Sequence, residues 1–200
     1  MSGSIADNVG RGSGVIAAAG TDAGLVKIST NSTLISTPAT LVAFDSSLVT
    51  STYSHYRLVV EGLSVDTDGD EIGVKLSVDN GSTFATHVGM NIPIGFFANS
   101  TPSGTYVGNR SHHWFLHEME ATVGTGGGSA YCDIFNANST TDYKYLIGEG
   151  ASVHYSSPTY WYSQKAWTVF KSTSAVNYIK VYDVSGGNMD GGKVTLYGYA

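Results

Sequence analysis

The sequence predicts an all-β protein: an antiparallel β-sandwich of the jelly-roll type with an extended N-terminal arm. Three observations predict it. The 200 residues include 25 Gly but only 4 Pro, with many Ser, Thr and Asn, a composition typical of turns between short strands. Aromatic residues make up 12% of the chain, as an ordered core requires. Apolar residues alternate with a period of two; a helix is conceivable only at 113–121, where flanking Gly and β-rich neighbours favour a strand.

The first 50 residues differ from the rest of the chain. They contain no Trp or Tyr and one Phe, Phe44. Glycines at positions 10, 12, 14, 20 and 24 interrupt any helical pattern. We therefore interpret residues 1–50 as an extended arm with strand pieces at 14–19, 25–29 and 41–44. Since it avoids large apolar residues without being highly charged, we expect the arm to dock on another chain.

Residues 51–200 are predicted to form the sandwich domain. Strands follow one another at intervals of about 8–15 residues with no helix between them. We expect them at 56–65, 71–78, 113–121, 131–136, 143–148, 153–155, 161–162 and 167–170, with 84–88 returning beside 71–78. The last two strands, 175–184 and 193–199, are joined by a loop rich in Gly, Asn and Asp, which predicts a C-terminal hairpin.

Composition also excludes some partners. The net charge is −6, and ten basic residues are spread along the chain, so nucleic acid is a poor partner. No polybasic or long apolar segment predicts membrane binding or spanning, and the first residues do not read as a secretory signal. Cys132 is the single cysteine and is interpreted as a buried structural thiol.

The acidic stretch at 66–71, DTDGDE, has two interpretations. Asp66, Asp68 and Asp70 match the first, third and fifth positions of an EF-hand loop, but Gly69 and Ser77 occupy the fourth and twelfth. Three alternating carboxylates can still converge on Ca²⁺ where a β-loop turns. Because Asp and Gly are ordinary turn residues, we favour a polar connection between two strands and no cofactor, with the Ca²⁺ site as second hypothesis.

The sequence gives no positive sign of an enzyme. His112, His113 and His117 form H-H-x-x-x-H, but on a strand the last two lie about 13 Å apart, too far for one metal ion. No G-x-S-x-G nucleophile elbow is present. The adjacent glutamates Glu118 and Glu120 are glycosidase candidates only by residue type.

Aromatic residues crowd the segment VHYSSPTYWYSQKAW. Tyr155, Tyr160, Trp161 and Tyr162 lie among serines and Pro158, which favours a loop. Exposed rings in such loops stack on sugars or form protein interfaces; the alternative is that they fill the core. These four residues are the predicted ligand-binding candidates.

Three segments carry a resemblance to known proteins: YRLVVEGLSVDTDGDEIGVKLSVDNGSTF (56–84), DYKYLIG (142–148) and the closing VNYIKVYDVSGGNMDGGKVTLYGY. Together they resemble a family of β-sandwich virion proteins of tailed bacteriophages. The family pattern is a strand, TDG, a strand and S-x-D-G-G-S-T-F, with a final G-N-x-x-x-G-x-x-x-L-Y-G. Asn80 stands here where Gly is common. The opening ADNVGRGSGVI also resembles docking segments of such proteins, so the likeness spans about three quarters of the chain.

The resemblance implies a non-enzymatic structural protein, made in the host cytoplasm and located in the virion. Its arm would dock on the tail or capsid, and its sandwich would face outward in a homo-oligomer, expected to be a trimer. A tail-fibre type would also bind a host-surface glycan, at residues 160–162. Two alternatives remain: a capsid decoration protein without a ligand, and a carbohydrate-binding β-sandwich module.

Overall fold

The computed structural model describes residues 24–32, 38–84, 87–96, 112–121, 127–156 and 161–199, with only the backbone described for 87–96 and for residue 114. The regular structure within these ranges is entirely β, so no helix long and apolar enough to cross a membrane occurs among them. Eleven strands are described: β1 (Leu25–Asn31), β2 (Leu41–Phe44), β3 (His55–Val65), β4 (Asp70–Ser77), β5 (His87–Phe96), β6 (His113–Met119), β7 (Gly128–Phe135), β8 (Lys144–Val153), β9 (Trp161–Phe170), β10 (Tyr178–Asp183) and β11 (Met189–Tyr199).

The strands form two antiparallel sheets, which confirms the predicted sandwich. The seven-stranded sheet has the order β1-β11-β3-β7-β8-β9-β5, and the four-stranded sheet has the order β2-β10-β4-β6. The pairs β1/β2, β11/β10, β3/β4 and β7/β6 each have one strand in each sheet. Each pair is consecutive in the chain, so each connection passes from one sheet to the other, as in a jelly roll.

The core lies between the sheets and is built by alternation. In β4, Ile72, Val74 and Leu76 are buried on one face. Opposite them in the same sheet, β10 places Ile179 beside Leu76 and Val181 beside Val74. Each such side chain contributes roughly 1.5–3 kcal/mol when it is fully buried, and the period of two in the sequence reflects this burial.

Small residues in β7 and β8 leave room for β6 of the opposite sheet. Gly148 lies beside the ring of His113, and Gly128 and Gly150 lie beside Leu116. Phe115 and Leu116 are consequently almost fully buried between the sheets. The glycines here serve close packing of the two sheets and not turns.

Two predicted strand pairings are wrong. Strands β10 and β11 do not form a hairpin, because β10 pairs with β2 and β4 whereas β11 pairs with β1 and β3 in the other sheet. Likewise β5, which begins at His87, pairs with β9 and not with β4. Strands β10 and β6 pair with the two edges of β4, so no edge of β4 is left for the predicted partner.

Part of the predicted arm belongs to the sandwich. The strand pieces predicted at 25–29 and 41–44 are confirmed as β1 and β2, and they pair with β11 and β10. Those two pieces are thus sheet strands of the sandwich. The rest of the predicted arm, residues 1–23 with the piece at 14–19, lies outside the described residues.

Cys132 is fully buried in β7, as predicted. Burial raises the pKa of its thiol well above the ordinary range. A thiol that stays protonated is a weak nucleophile, so Cys132 acts as a small core residue.

The turn after β4 is held by the carboxylate of Asp79. It accepts hydrogen bonds from Ser77 Oγ at 2.6 Å, Thr83 N at 2.8 Å and Thr83 Oγ1 at 2.6 Å. Asn80 and Gly81 follow with φ of 54° and 85°, values that Asn and Gly tolerate best. The turn predicted from DNGS is therefore confirmed.

Replacing Asp79 with Asn should lower the melting temperature at pH 6 and have a smaller effect at pH 2. The three donors lower the pKa of Asp79 to about 2, whereas an unfolded Asp titrates near 3.9. The charged form therefore adds stability above about pH 4, and this stability is lost as the pH falls through 2. Thermal unfolding followed by circular dichroism from pH 6 to pH 2 measures the difference. A difference that stays constant over this range would contradict the assignment.

Candidate functional site

Two connections between the sheets meet at one corner of the sandwich. Because β3 pairs with β11 and β4 pairs with β10, the turn at 66–69 lies against the loop at 184–188. Asp66 N donates to Asn188 O at 2.9 Å. In return, Asn188 N donates to Asp66 Oδ1 at 2.9 Å and Asn188 Nδ2 to Asp66 Oδ2 at 2.7 Å. We call this junction the acidic corner; its carboxylates are those of Asp66, Asp70 and Asp183.

The three carboxylates of the acidic corner converge beside Gly187. A Cβ atom at position 187 would touch Asp70 Oδ2 and would lie 2.8 Å from Asp66 Oδ1 and 3.2 Å from Asp183 Oδ2. Asp70 and Asp183 are only 5% and 3% exposed, while Asp66 is exposed. The corner therefore brings two buried acids and one accessible acid within a few ångströms of one point.

The buried acids repel each other as anions. Burial, followed by the contact with Asp70, raises the pKa of Asp183 to about 6. Hydrogen bonds from Ser185 N (2.8 Å) and Gly186 N (3.0 Å) to Asp183 Oδ1 oppose the shift only in part. Apart from each other, Asp70 Oδ2 and Asp183 Oδ2 have no hydrogen-bond partner in the described part of the chain. Two buried carboxylate oxygens in this position need a shared proton or a cation.

The structure brings together a set of carboxylates that differs from the predicted calcium site. The connection predicted between two strands is confirmed, since β3 ends at Val65 and β4 begins at Asp70. Asp66 and Asp70 do meet, but Asp68 Oδ1 accepts a hydrogen bond from Ala121 N at 2.8 Å instead. Asp183 takes its place in the corner and was missed by the sequence interpretation. As they stand, no three His, Cys, Asp or Glu side chains of the described ranges form a metal-binding group.

The three predicted ligand-binding aromatics that the structure describes do not form one platform. Tyr155 is exposed and stacks on His154, with ring centroids 4.6 Å apart. Tyr162 is half-buried, with its ring centroid 5.0 Å from that of His154, and it donates to Glu118 Oε2 at 2.9 Å. Trp161, 48% exposed, precedes Tyr162 on β9 and so lies on the opposite face of the sheet. Tyr160 lies outside the described residues.

A hydroxyl, an imidazole and a carboxylate lie in a row beside these rings. Ser156 Oγ is 2.7 Å from His154 Nδ1, and His154 Nε2 is 3.1 Å from Glu118 Oε2. The backbone N–H of Ser156 donates to the same Nδ1 at 3.0 Å, so the imidazole caps the turn after β8. Glu118 has φ of 43°, a backbone strain that these contacts hold in place.

The histidines of the H-H-x-x-x-H motif have separate partners. His113 is fully buried, with its Nδ1 2.7 Å from Thr168 Oγ1. His117 Nδ1 lies 2.6 Å from Glu71 Oε1, and the ring of His112 packs edge-on against Tyr182. The three imidazoles therefore serve three different contacts.

The outer side of the seven-stranded sheet carries large exposed side chains. We call it the aromatic face, defined by Tyr131, Phe135, Tyr145, Ile147 and Trp167. Tyr131, Tyr145, Ile147 and Trp167 are 36–46% exposed. Across the strands, Phe135 is beside Tyr145 and Ile147 is beside Trp167, and a shallow depression of about 400 Å³ lies among them. The prediction placed the exposed rings at 155–162 and missed this surface.

One side of the aromatic face is joined to an ion-paired group on β3 and β7. Arg57 donates to both carboxylate oxygens of Asp133, from Nε at 2.7 Å and from the guanidinium Nη2 at 2.5 Å. The guanidinium lies 5.1 Å from the ring centre of Tyr131. His55 stacks between Phe135 and Tyr199, with centroids at 4.2 and 4.0 Å. This planar packing fixes the rings in a flat surface.

The fold and these surfaces define an all-β sandwich with an acidic corner and a flat aromatic face. Comparison of the chain with protein-family models, with curated proteins and with solved structures gives no match.

Proposed function

We propose that this chain is a non-enzymatic structural protein of a bacteriophage virion, which self-associates through the aromatic face. The observation that carries the proposal is the aromatic face itself: four large side chains, exposed side by side on rigid strands. The habitat comes from the resemblance of segments 56–84, 142–148 and the C-terminal segment to β-sandwich virion proteins. In this proposal, the N-terminal arm docks the chain on tail or capsid and the sandwich faces outward.

Self-association is the function that such a surface supports best. Contiguous exposed apolar side chains on a soluble protein mark interaction sites, and Tyr, Trp and Phe are enriched at interface cores. The surface is flat and shallow, and it is not the deep pocket that encloses most of a small ligand. A rotationally symmetric homo-oligomer, with a trimer as the expected state, would bury the face in every copy.

The charges next to the aromatic face favour a second copy as its partner. Arg57 is neutralised by Asp133, and Lys165 Nζ is 2.8 Å from Glu149 Oε1. Each charge is therefore already paired within its own chain. When equal faces approach each other, no uncompensated like charges are brought together, which removes the main electrostatic cost of self-association.

Replacing both Tyr145 and Trp167 with Ser should convert the oligomer to a monomer. The change removes two of the largest exposed rings of the aromatic face and leaves the core residue Leu146 in place. Sedimentation-velocity ultracentrifugation of the wild type and the double variant measures the mass. Leu41→Ser is the matched control, since Leu41 is equally exposed on β2 of the other sheet; it should keep the wild-type mass. A monomeric wild type, or an oligomer retained in the double variant, would contradict the proposed interface.

The virion assignment has its own test. An antibody against the sandwich should label tail or capsid in electron micrographs of particles of the encoding phage, and deletion of residues 1–23 should abolish incorporation. Purified particles that lack the chain would refute the assignment whatever the oligomeric state. Labelling over the whole capsid, with no glycan bound by the free protein, would identify the decoration type.

A second candidate function, glycan binding, is favoured by the exposure of Trp161 and Tyr155. They are 48% and 43% exposed, and an exposed ring can stack on a sugar. On a particle that carries many copies, weak individual sites would together give tight binding through avidity. A glycan array probed with the wild type and with Trp161→Ala tests it. Binding by the wild type that the variant loses supports the tail-fibre or carbohydrate-binding role; no bound glycan removes it.

A further inference from the structure

We propose that the acidic corner binds a divalent cation, Ca²⁺, with Asp70 and Asp183 as buried ligands and Asp66 as the ligand on the solvent side. This inference is independent of the proposed virion function, and it rests on the geometry where the connections β3–β4 and β10–β11 cross.

The first observation is convergence. Oxygens of all three carboxylates crowd together on one side of Gly187: a Cβ atom there would be 2.8 Å from Asp66 Oδ1 and 3.2 Å from Asp183 Oδ2, and it would touch Asp70 Oδ2. Three carboxylates from two separate connections are brought to this point only by the fold. Gly187 leaves the space beside them free of a side chain.

The second observation is the state of the buried oxygens. Asp70 and Asp183 are more than nine-tenths buried, and in the described part of the chain their Oδ2 atoms receive no hydrogen bond from any other group. Buried carboxylates are normally paired with donors, cations or metal ions. No Lys or Arg is found in an ion pair with either acid among the described residues. A bound cation would supply the missing positive charge.

The ligand chemistry favours Ca²⁺ over other ions. The three atoms nearest to the open side of Gly187 are all carboxylate oxygens, the ligands that hard ions prefer. Ca²⁺ accepts six to eight oxygens in irregular geometry, whereas Mg²⁺ demands a near-ideal octahedron. The described side chains do not form a closed coordination shell as they stand. Water, and an Asp66 side chain turned from Asn188 toward the buried pair, would complete the shell. The exchange of hydrogen bonds for metal contact suits a site with a dissociation constant of roughly 10⁻⁴–10⁻³ M.

Titration of the full-length protein with CaCl₂ after EDTA treatment and removal of the chelator tests the site at pH 7. We expect heat of binding in calorimetry and a melting temperature that rises with the logarithm of the Ca²⁺ concentration above roughly 10⁻⁴–10⁻³ M, with a smaller response to MgCl₂. Asp183→Asn should weaken Ca²⁺ binding at least about tenfold, since it removes one charged ligand. Without Ca²⁺, this variant should be at least as stable as the wild type, because the repulsion from Asp70 is removed.

Two further variants keep the test decisive. Asp66→Asn keeps an oxygen for Asn188 N but loses the acceptor for Asn188 Nδ2. It should therefore lower the melting temperature of the Ca²⁺-free protein slightly and also weaken Ca²⁺ binding. Asp142→Asn is the matched control: Asp142 lies in the loop after β7, at the end of the sandwich where β3 begins, opposite the acidic corner. It should bind Ca²⁺ as the wild type does. No heat and no thermal shift in the wild type, or an unchanged shift in both Asp183→Asn and Asp66→Asn, would overturn the site.

Discussion

Replacing Lys144 with Met will destabilise the protein by about 3 kcal/mol. Lys144 is fully buried at the start of β8. Its ammonium group donates to three backbone carbonyls: Ser139 O at 2.6 Å, Asp142 O at 2.9 Å and Ser172 O at 3.1 Å. An ammonium has three donors, so all three are used. Met fills a similar volume but leaves the three carbonyls without that donor.

The loss will extend to the loops that Lys144 joins. Its contacts connect the loop between β7 and β8 with the segment after β9. Urea unfolding measures the change in free energy, and amide exchange should show faster opening of residues 136–143. Lys165→Met is the control, because Lys165 and its partner Glu149 are exposed; such a pair contributes about 0–1 kcal/mol. Equal losses in the two variants would show that the buried hydrogen bonds of Lys144 add nothing.

Gly148→Val will cost about 3 kcal/mol or more through overpacking. A Cβ atom at this position would lie 2.6 Å from Tyr131 O on the neighbouring strand, 3.1 Å from His113 Nε2 and 3.3 Å from Cys132 Cα. Two of these atoms belong to the backbone of β7, so no side-chain rotation relieves the clash. The two sheets must separate or β7 and β8 must shift.

Urea unfolding also measures this effect, with Gly24→Val as the matched control. Among the described residues, a Cβ atom at Gly24 meets nothing within 4 Å, so the control should unfold at the wild-type midpoint. A wild-type midpoint for Gly148→Val would mean that the sheets do not pack as closely as the structure shows.

Local structure was predictable because it depends on neighbouring residues. The alternation in EIGVKLSV predicts β4, and the turns at 66–69 and 79–82 are predicted by Asp, Asn and Gly, whose backbone and side-chain preferences act over a few residues. The choice of sheet was not predictable. Alternation predicts the face on which a side chain lies but says nothing about the strand beside it, which is why β10 and β11 were wrongly expected to form a hairpin.

The sequence also did not predict which face of a strand points into the core and which points to the surface. In KYLIGEGASV the larger residues Tyr145 and Ile147 point outward, and Leu146, Gly148 and Gly150 point inward. Both faces of β8 carry apolar residues, so the pattern does not distinguish core from surface. Only the close approach of Phe115 and Leu116 from the opposite sheet requires the small residues to be inside.

The acidic corner shows the same division. The sequence alone determined a turn with Asp66, Asp68 and Asp70, since a carboxylate next to Gly is a local property of the chain. The tertiary structure decided that Asp183, more than 110 residues away in sequence, joins Asp66 and Asp70, and that Asp68 does not. The physical reason is that strand pairing is set by long-range burial, which a period of two cannot encode, whereas turns and strands are set by short-range sterics and alternation.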